Sequence, residues 1–214
     1  MSETDIINFH VTIIGDSGSG KTSIVSRYIT NSFPQAQEPT IGLSSFCKMI
    51  QSHNKIYRLN IWDAGGNPRS SLNLINNCKL ADAFIIACDI NSSNPVKSVE
   101  TWYDIINQNA KKIIIKSSIR DVYLPIIIFI NKIDLDSCEN HKNIAMIEAF
   151  ADGKIIPVVK GSALNGCNVE ILFEKLFNML VNASSLKKDK SITLSNNNHT
   201  MKLLKSSKKK QKCC

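Results

Sequence analysis

A run of apolar residues, 9–14, leads directly into Gly15-Asp16-Ser17-Gly18-Ser19-Gly20-Lys21-Thr22, and a helical pattern begins at Lys21. Glycine, four free positions and then Gly-Lys-Thr suit a tight loop between a strand and a helix. The glycines let successive backbone N–H groups turn inward on one point, and the helix adds its positive N-terminal end. Such a loop is a cradle for phosphate oxygens, with Lys21 reaching the β and γ phosphates and the Thr22 hydroxyl ligating Mg²⁺. Alone it specifies phosphate and metal, not the base, and an ordinary glycine-rich turn has the same outline.

The rest of the chain fits that loop into a larger pattern. Strand-like runs at 44–51, 56–62, 83–89, 125–130 and 155–160 alternate with helical patterns at 96–114, 143–150 and 169–181. A polar hairpin at 52–55 joins the first two runs. Strand–helix alternation predicts an α/β fold of the P-loop NTPase type: a mainly parallel six-stranded sheet with one antiparallel strand and helices on both faces. Ligands of such sheets bind at the carboxyl ends of the strands.

Charge divides the 214 residues into two parts. Beyond residue 182 lie nine lysines and one acid, Asp189, which account for the whole net charge of +8. Residues 1–182 therefore form a neutral domain, and 183–214 a Ser-, Asn- and Lys-rich tail expected to be disordered by itself. A neutral body with a basic tail does not read as a nucleic-acid-binding domain. A localisation or nucleic-acid reading of Lys208–Lys210 stays open beside it. Cys47, Cys78, Cys88, Cys138 and Cys167 show no zinc spacing. No apolar run is long enough to span a bilayer.

Three more motifs fall just after strand-like runs. In Asn131-Lys132-Ile133-Asp134, the Asp134 carboxylate can accept from the ring N–H and exocyclic amine of guanine, a donor pair that adenine lacks. Asn131 can bond the base's other edge, and the Lys132 stem can lie over the ring. In Gly161-Ser162-Ala163 a backbone N–H would approach the guanine oxygen. In Trp62-Asp63-Ala64-Gly65-Gly66, Asp63 would hold Mg²⁺ through water and the Gly66 N–H would bond the γ-phosphate. Thr40, in the polar stretch 31–42, would complete the metal shell. The segments around Thr40 and Gly66 would then order only with a γ-phosphate present. A P-loop kinase or ATPase is the competing class, and Asp134 argues against it.

With these motifs in this order, residues 8–182 resemble the Ras-superfamily small GTPases and, within them, the Rab family. Thr40-Ile41-Gly42, Phe46, Trp62 and the terminal Cys213-Cys214 are Rab-like, and Gly65-Gly66 resembles a divergent branch with WDxGG. The resemblance implies a GTP/GDP switch with Mg²⁺ that hydrolyses GTP and recruits effectors to vesicle membranes. Phe33 would pack edge-on against guanine, Leu164 would touch the base, and Phe46 and Trp62 would belong to the effector surface. Cys213 and Cys214 would be prenylated, with the tail lysines adding about 1 kcal/mol each near anionic lipid. An exchange factor, an activating protein, a prenyltransferase with its escort and a GDP-dissociation inhibitor are the implied partners. The chain would be a monomer in the cytoplasm and on the cytoplasmic face of membranes.

Departures from the family are specific. Asn67 replaces the glutamine that orients the attacking water, and Pro68 restricts the backbone beside it. Slow hydrolysis is expected, or a GTP-binding scaffold with little or none. Leu164 replaces a lysine, Asn77-Cys78 replace a tyrosine pair, and the segment before Phe46 lacks the usual acid.

Overall fold

The computed structural model describes residues 6–34, 40, 42–66, 72–110, 115–116, 121–122, 124–135 and 140–185. Its main sheet is built from β1 (Ile6–Ile14), β2 (Leu43–Ser52), β3 (Lys55–Ala64), β4 (Ala83–Asp89), β7 (Ile126–Asn131) and β8 (Val158–Lys160). The strand order is β2-β3-β1-β4-β7-β8. β2 runs antiparallel to β3, and every other pairing is parallel. A separate two-residue ladder pairs β5 (Ile115–Lys116) with β6 (Asp121–Val122). The helices are α1 (Lys21–Thr30), α2 (Leu72–Leu80), α3 (Pro95–Asn109), α4 (Asn140–Asp152) and α5, which runs over 169–185. The mixed six-stranded sheet predicted from the pattern is the one observed.

The continuous apolar runs have a simple cause: both faces of the sheet are covered, so both halves of the period-two pattern are buried. In β4, Ala83, Ile85 and Ala87 join the core under α1 and α5, while Phe84, Ile86 and Cys88 join the core under α2, α3 and α4. In β7, Ile127 and Phe129 face the first core and Ile126, Ile128 and Ile130 the second. The first core is closed by α5 through Leu172, Phe173, Leu176, Phe177 and Leu180. Phe173 stacks on Tyr28 of α1 at 3.7 Å between ring centroids. Burial pushes the thiols of Cys78 and Cys88 up to about 11 and about 12, which suits packing residues.

Several boundaries differ from expectation. The helical stripe read at 96–114 ends at Asn109, because Ala110 is already extended; 111–114 lie outside the described residues. Its start is fixed by Asn94, whose side chain accepts from the Lys97 N–H at 3.0 Å, with Pro95 in the first turn. The strand read at 155–160 begins only at Val158. Ile155 is in the left-handed region, φ 59°, and the Ile156 N–H still bonds the Ala151 carbonyl, so this segment terminates α4 rather than opening β8. α2 was not anticipated: its asparagines 73, 76 and 77 are weak helix formers.

The largest correction concerns β2. The expected effector surface joins Phe46 and Trp62, but the register sets Phe46 opposite Ile61 and Ser45 opposite Trp62. Facing residues share a side and neighbours alternate, so Phe46 and Trp62 lie on opposite faces of the sheet. Phe46 packs against the core beneath α1 and α5.

Phe173→Ala should lower stability by about 3–5 kcal/mol, because it removes a fully buried ring and its stack on Tyr28. Urea unfolding of the nucleotide-free protein, followed by far-UV circular dichroism, measures the loss.

Candidate functional site

The carboxyl ends of β1, β3, β4, β7 and β8 lie along one edge of the sheet, and a cleft of about 390 Å³ opens there. Loop 15–20 contributes Ser17, Gly18 and Gly20 to its wall, and α1 contributes Lys21, Thr22 and Ser23. Gly15, Asp16 and Ser19 do not line it. Lys21 is buried with its ammonium on the carbonyls of Gly15 (3.0 Å) and Asp16 (2.8 Å). Burial lowers its pKa, and the charges of Asp63 and Asp16 oppose that shift. Gly20 heads α1 at φ 87°, and any side chain there would strike the Asn131 amide.

One end of the cleft gathers oxygen atoms. Thr22 Oγ1 donates to Asp63 Oδ2 at 2.5 Å and lies 2.9 Å from Thr40 Oγ1, which in turn is 3.4 Å from Asp63 Oδ2. Register explains the meeting. β2 starts opposite the end of β3, Leu43 against Ala64 and Ser44 against Asp63, so Thr40, three residues before β2, comes within reach of Asp63, the last residue but one of β3. Asp63 is fully buried, and its Oδ1 has no hydrogen-bond partner among the described residues. Burial raises its pKa, countered by Thr22, Lys21 and Thr40. A buried carboxylate with one oxygen to spare beside two hydroxyls fits a small hard cation such as Mg²⁺. Gly66 presses on the Asp16–Ser17 peptide so closely that a β-carbon would collide with it.

The other end is apolar and open. Phe33, Leu135 and Leu164 line it while remaining 37%, 60% and 51% exposed, an arrangement suited to the faces of a flat ring. Asp134, Lys132, Ser162 and Ala163 line the same end. Lys132 has φ 66°, and its ammonium bonds Asp89 Oδ2 at 2.6 Å, which fixes the direction of its stem. Asn131 lines the cleft and also braces it from within. It is 1% exposed, its amide Nδ2 donates to the Ser19 carbonyl at 2.9 Å, and its Oδ1 accepts from the Ala163 N–H at 3.0 Å. The atoms expected to meet the base thus join three loops. Ser162 Oγ accepts from the Leu164 N–H at 3.1 Å.

Asp89, Arg27 and Trp102 were not anticipated. Arg27 of α1 donates to the carbonyls of Ala163 (3.0 Å), Leu164 (2.5 Å) and Asn31 (2.8 Å), fastening the last wall of the cleft to the first helix. Trp102 Nε1 donates to Asp16 Oδ1 at 2.8 Å. Each acts across a long stretch of sequence, and only Asp89, at a strand's carboxyl end, occupied a position that could have signalled it. Asn67, Cys213 and Cys214 lie outside the described residues.

Comparison with known proteins agrees with this geometry. The Ras family model matches residues 10–182. The Ras-related protein Rab-11B of Dictyostelium discoideum is 30% identical over 191 residues, covering 88% of this chain and 80% of that one. The Ras-related protein Rab-7b of Bos taurus is 28% identical and covers 97% of each. The Ypt/Rab-type GTPase avaA of Emericella nidulans is 28% identical over 81% of this chain and 82% of that one. The chain belongs to the Ras family of small GTPases and, within it, to the Rab type.

Asn131→Ala should cost about 2–3 kcal/mol, because it leaves the Ser19 carbonyl and the Ala163 N–H unpaired in a buried joint. Guanine-nucleotide affinity should fall at least about tenfold. Urea unfolding without nucleotide and titration with a fluorescent GDP analogue measure the two effects.

Proposed function

We propose that this protein is a Rab-type switch that binds GTP and GDP with Mg²⁺, hydrolyses GTP slowly and recruits effectors to membranes when GTP is bound. The observation that carries the reading is the Thr40 hydroxyl lying 2.9 Å from Thr22 Oγ1 and within reach of Asp63. Thr40 comes from the polar stretch between α1 and β2, so that stretch delivers a hydroxyl to the point where Thr22 and Asp63 meet.

In this reading Lys21 and the N–H groups of the loop hold the phosphates, and Gly66 meets the γ-phosphate. Asp134 selects guanine, with Phe33, Leu164 and the Lys132 stem around the ring. Thr22, Thr40 and, through water, Asp63 would hold Mg²⁺, which neutralises phosphate charge when bound. Asn67 occupies the water-orienting place but is one methylene shorter than glutamine, so it holds the water less well. The alternative is a GTP-gated scaffold with almost no hydrolysis.

The nucleotide that co-purifies with the protein tests the class: guanine nucleotide is expected, and ATP alone would refute it. In single-turnover assays, Asn67→Gln should raise the hydrolysis rate about tenfold or more. An unchanged rate would remove the positioning argument.

The tail supplies the membrane address. Prenylation of Cys213 and Cys214 would give two lipid chains, enough for stable anchoring where one is marginal, and the neighbouring lysines would favour anionic leaflets. No helix among the described residues is long and apolar enough to cross a membrane. In this reading the protein works in the cytoplasm and, through its tail, on the cytoplasmic face of intracellular membranes. Deleting residues 186–214, which leaves α5 whole, should abolish sedimentation with membranes from cells that prenylate the full chain, while GDP affinity stays within about twofold.

A further inference from the structure

Helix α3 contributes no residue to the cleft, yet it holds the loop that frames it. Trp102 is fully buried in the core shared by α2, α3 and α4, and its indole N–H is aimed at the Asp16 carboxylate. Asp16 is an awkward residue for a phosphate cradle. Its backbone shapes the loop, since its carbonyl accepts from both Lys21 Nζ (2.8 Å) and the Ser19 N–H (3.2 Å). Its side chain, however, brings a negative charge to a place that must accept anions. The structure resolves the conflict by direction: the carboxylate points back to Trp102, and Asp16 does not line the cleft. Gly66 rests on the peptide that follows Asp16, so the same residue supports a second loop.

We infer that Trp102 is a positioning residue for nucleotide retention: its indole N–H ties the Asp16 carboxylate behind the loop and away from the phosphates. The inference rests on the guanine-nucleotide reading above. Without the indole donor, the carboxylate turns toward the cleft, where it repels phosphate and competes for Lys21. A hydrogen bond to a charged acceptor has the strength to matter at this level.

The test is the dissociation rate of a fluorescent GDP analogue from the full chain, in Mg²⁺, for wild type, Trp102→Phe, Asp16→Ala and the double variant. Trp102→Phe should speed release about tenfold. In the Asp16→Ala background the same change should alter release by less than about twofold, because no carboxylate remains to be held. A purely packing role for Trp102 would speed release equally in both backgrounds, and that result overturns the inference, as does unchanged release in Trp102→Phe alone. If Trp102→Phe fails to fold, replacing the indole with isosteric benzothiophene keeps the volume, removes the N–H and takes its place in the same comparison. Failure of wild type to retain any guanine nucleotide overturns the functional reading itself, and so is distinguishable from failure of this inference.

Discussion

The amide of Asn131 is the joint on which the site depends. It closes β7, the strand buried between β4 and β8, and it spends its two ends on the backbone of two other loops. One is the phosphate loop, where Gly20 is bare enough to let the amide lie against it. The other is the loop after β8. A buried amide that satisfies two buried backbone groups fixes their spacing far better than apolar packing can, because each bond has a narrow distance and angle. The place for phosphate and the place for a base are therefore held in one frame, set by a side chain rather than by the sheet alone.

Around that joint the cleft has two different physical characters. At one end, Lys21, Thr22, Thr40 and Asp63 are close, polar and largely withdrawn from water. Burial there pushes the lysine and the carboxyl toward their neutral forms, so the site is poised for charges it does not itself contain. At the other end Phe33, Leu135 and Leu164 leave apolar surface in water. Covering it is favourable at roughly 25 cal/mol per Å². Leu164, half exposed at the rim, gives this end apolar surface rather than charge.

The legible parts of the sequence were those whose chemistry is local. The phosphate loop and the 161–163 turn follow a strand directly, Asp63 lies at the end of one and Asp134 comes three residues after another, so reading the strands brought these residues to one edge. The six-stranded mixed sheet followed from the same alternation. Position across a strand was less legible, because pairing with period two turns a shift of one residue into a change of face. Phe46 and Trp62 parted for that reason. α2 was hidden by its asparagines, and the start of β8 by Ile155, a β-branched residue in a left-handed turn that the sequence gives no reason to expect. Trp102, Arg27 and the bracing role of Asn131 depend on partners 32 to 137 residues away, and no local pattern reports them.

Arg27 has a consequence for how the protein is made. It lies in the first helix, yet it grips the carbonyls of Ala163 and Leu164, and Asn131 needs Ala163 for its second bond. A nascent chain on the ribosome can present the phosphate loop long before it can present the wall that completes the cleft. Until residue 164 has left the exit tunnel, Arg27 lacks the two carbonyls that fasten the last wall of the cleft to the first helix. Ligand capture is thereby tied to the last part of synthesis, and a truncated product lacks the finished pocket however well its early strands assemble.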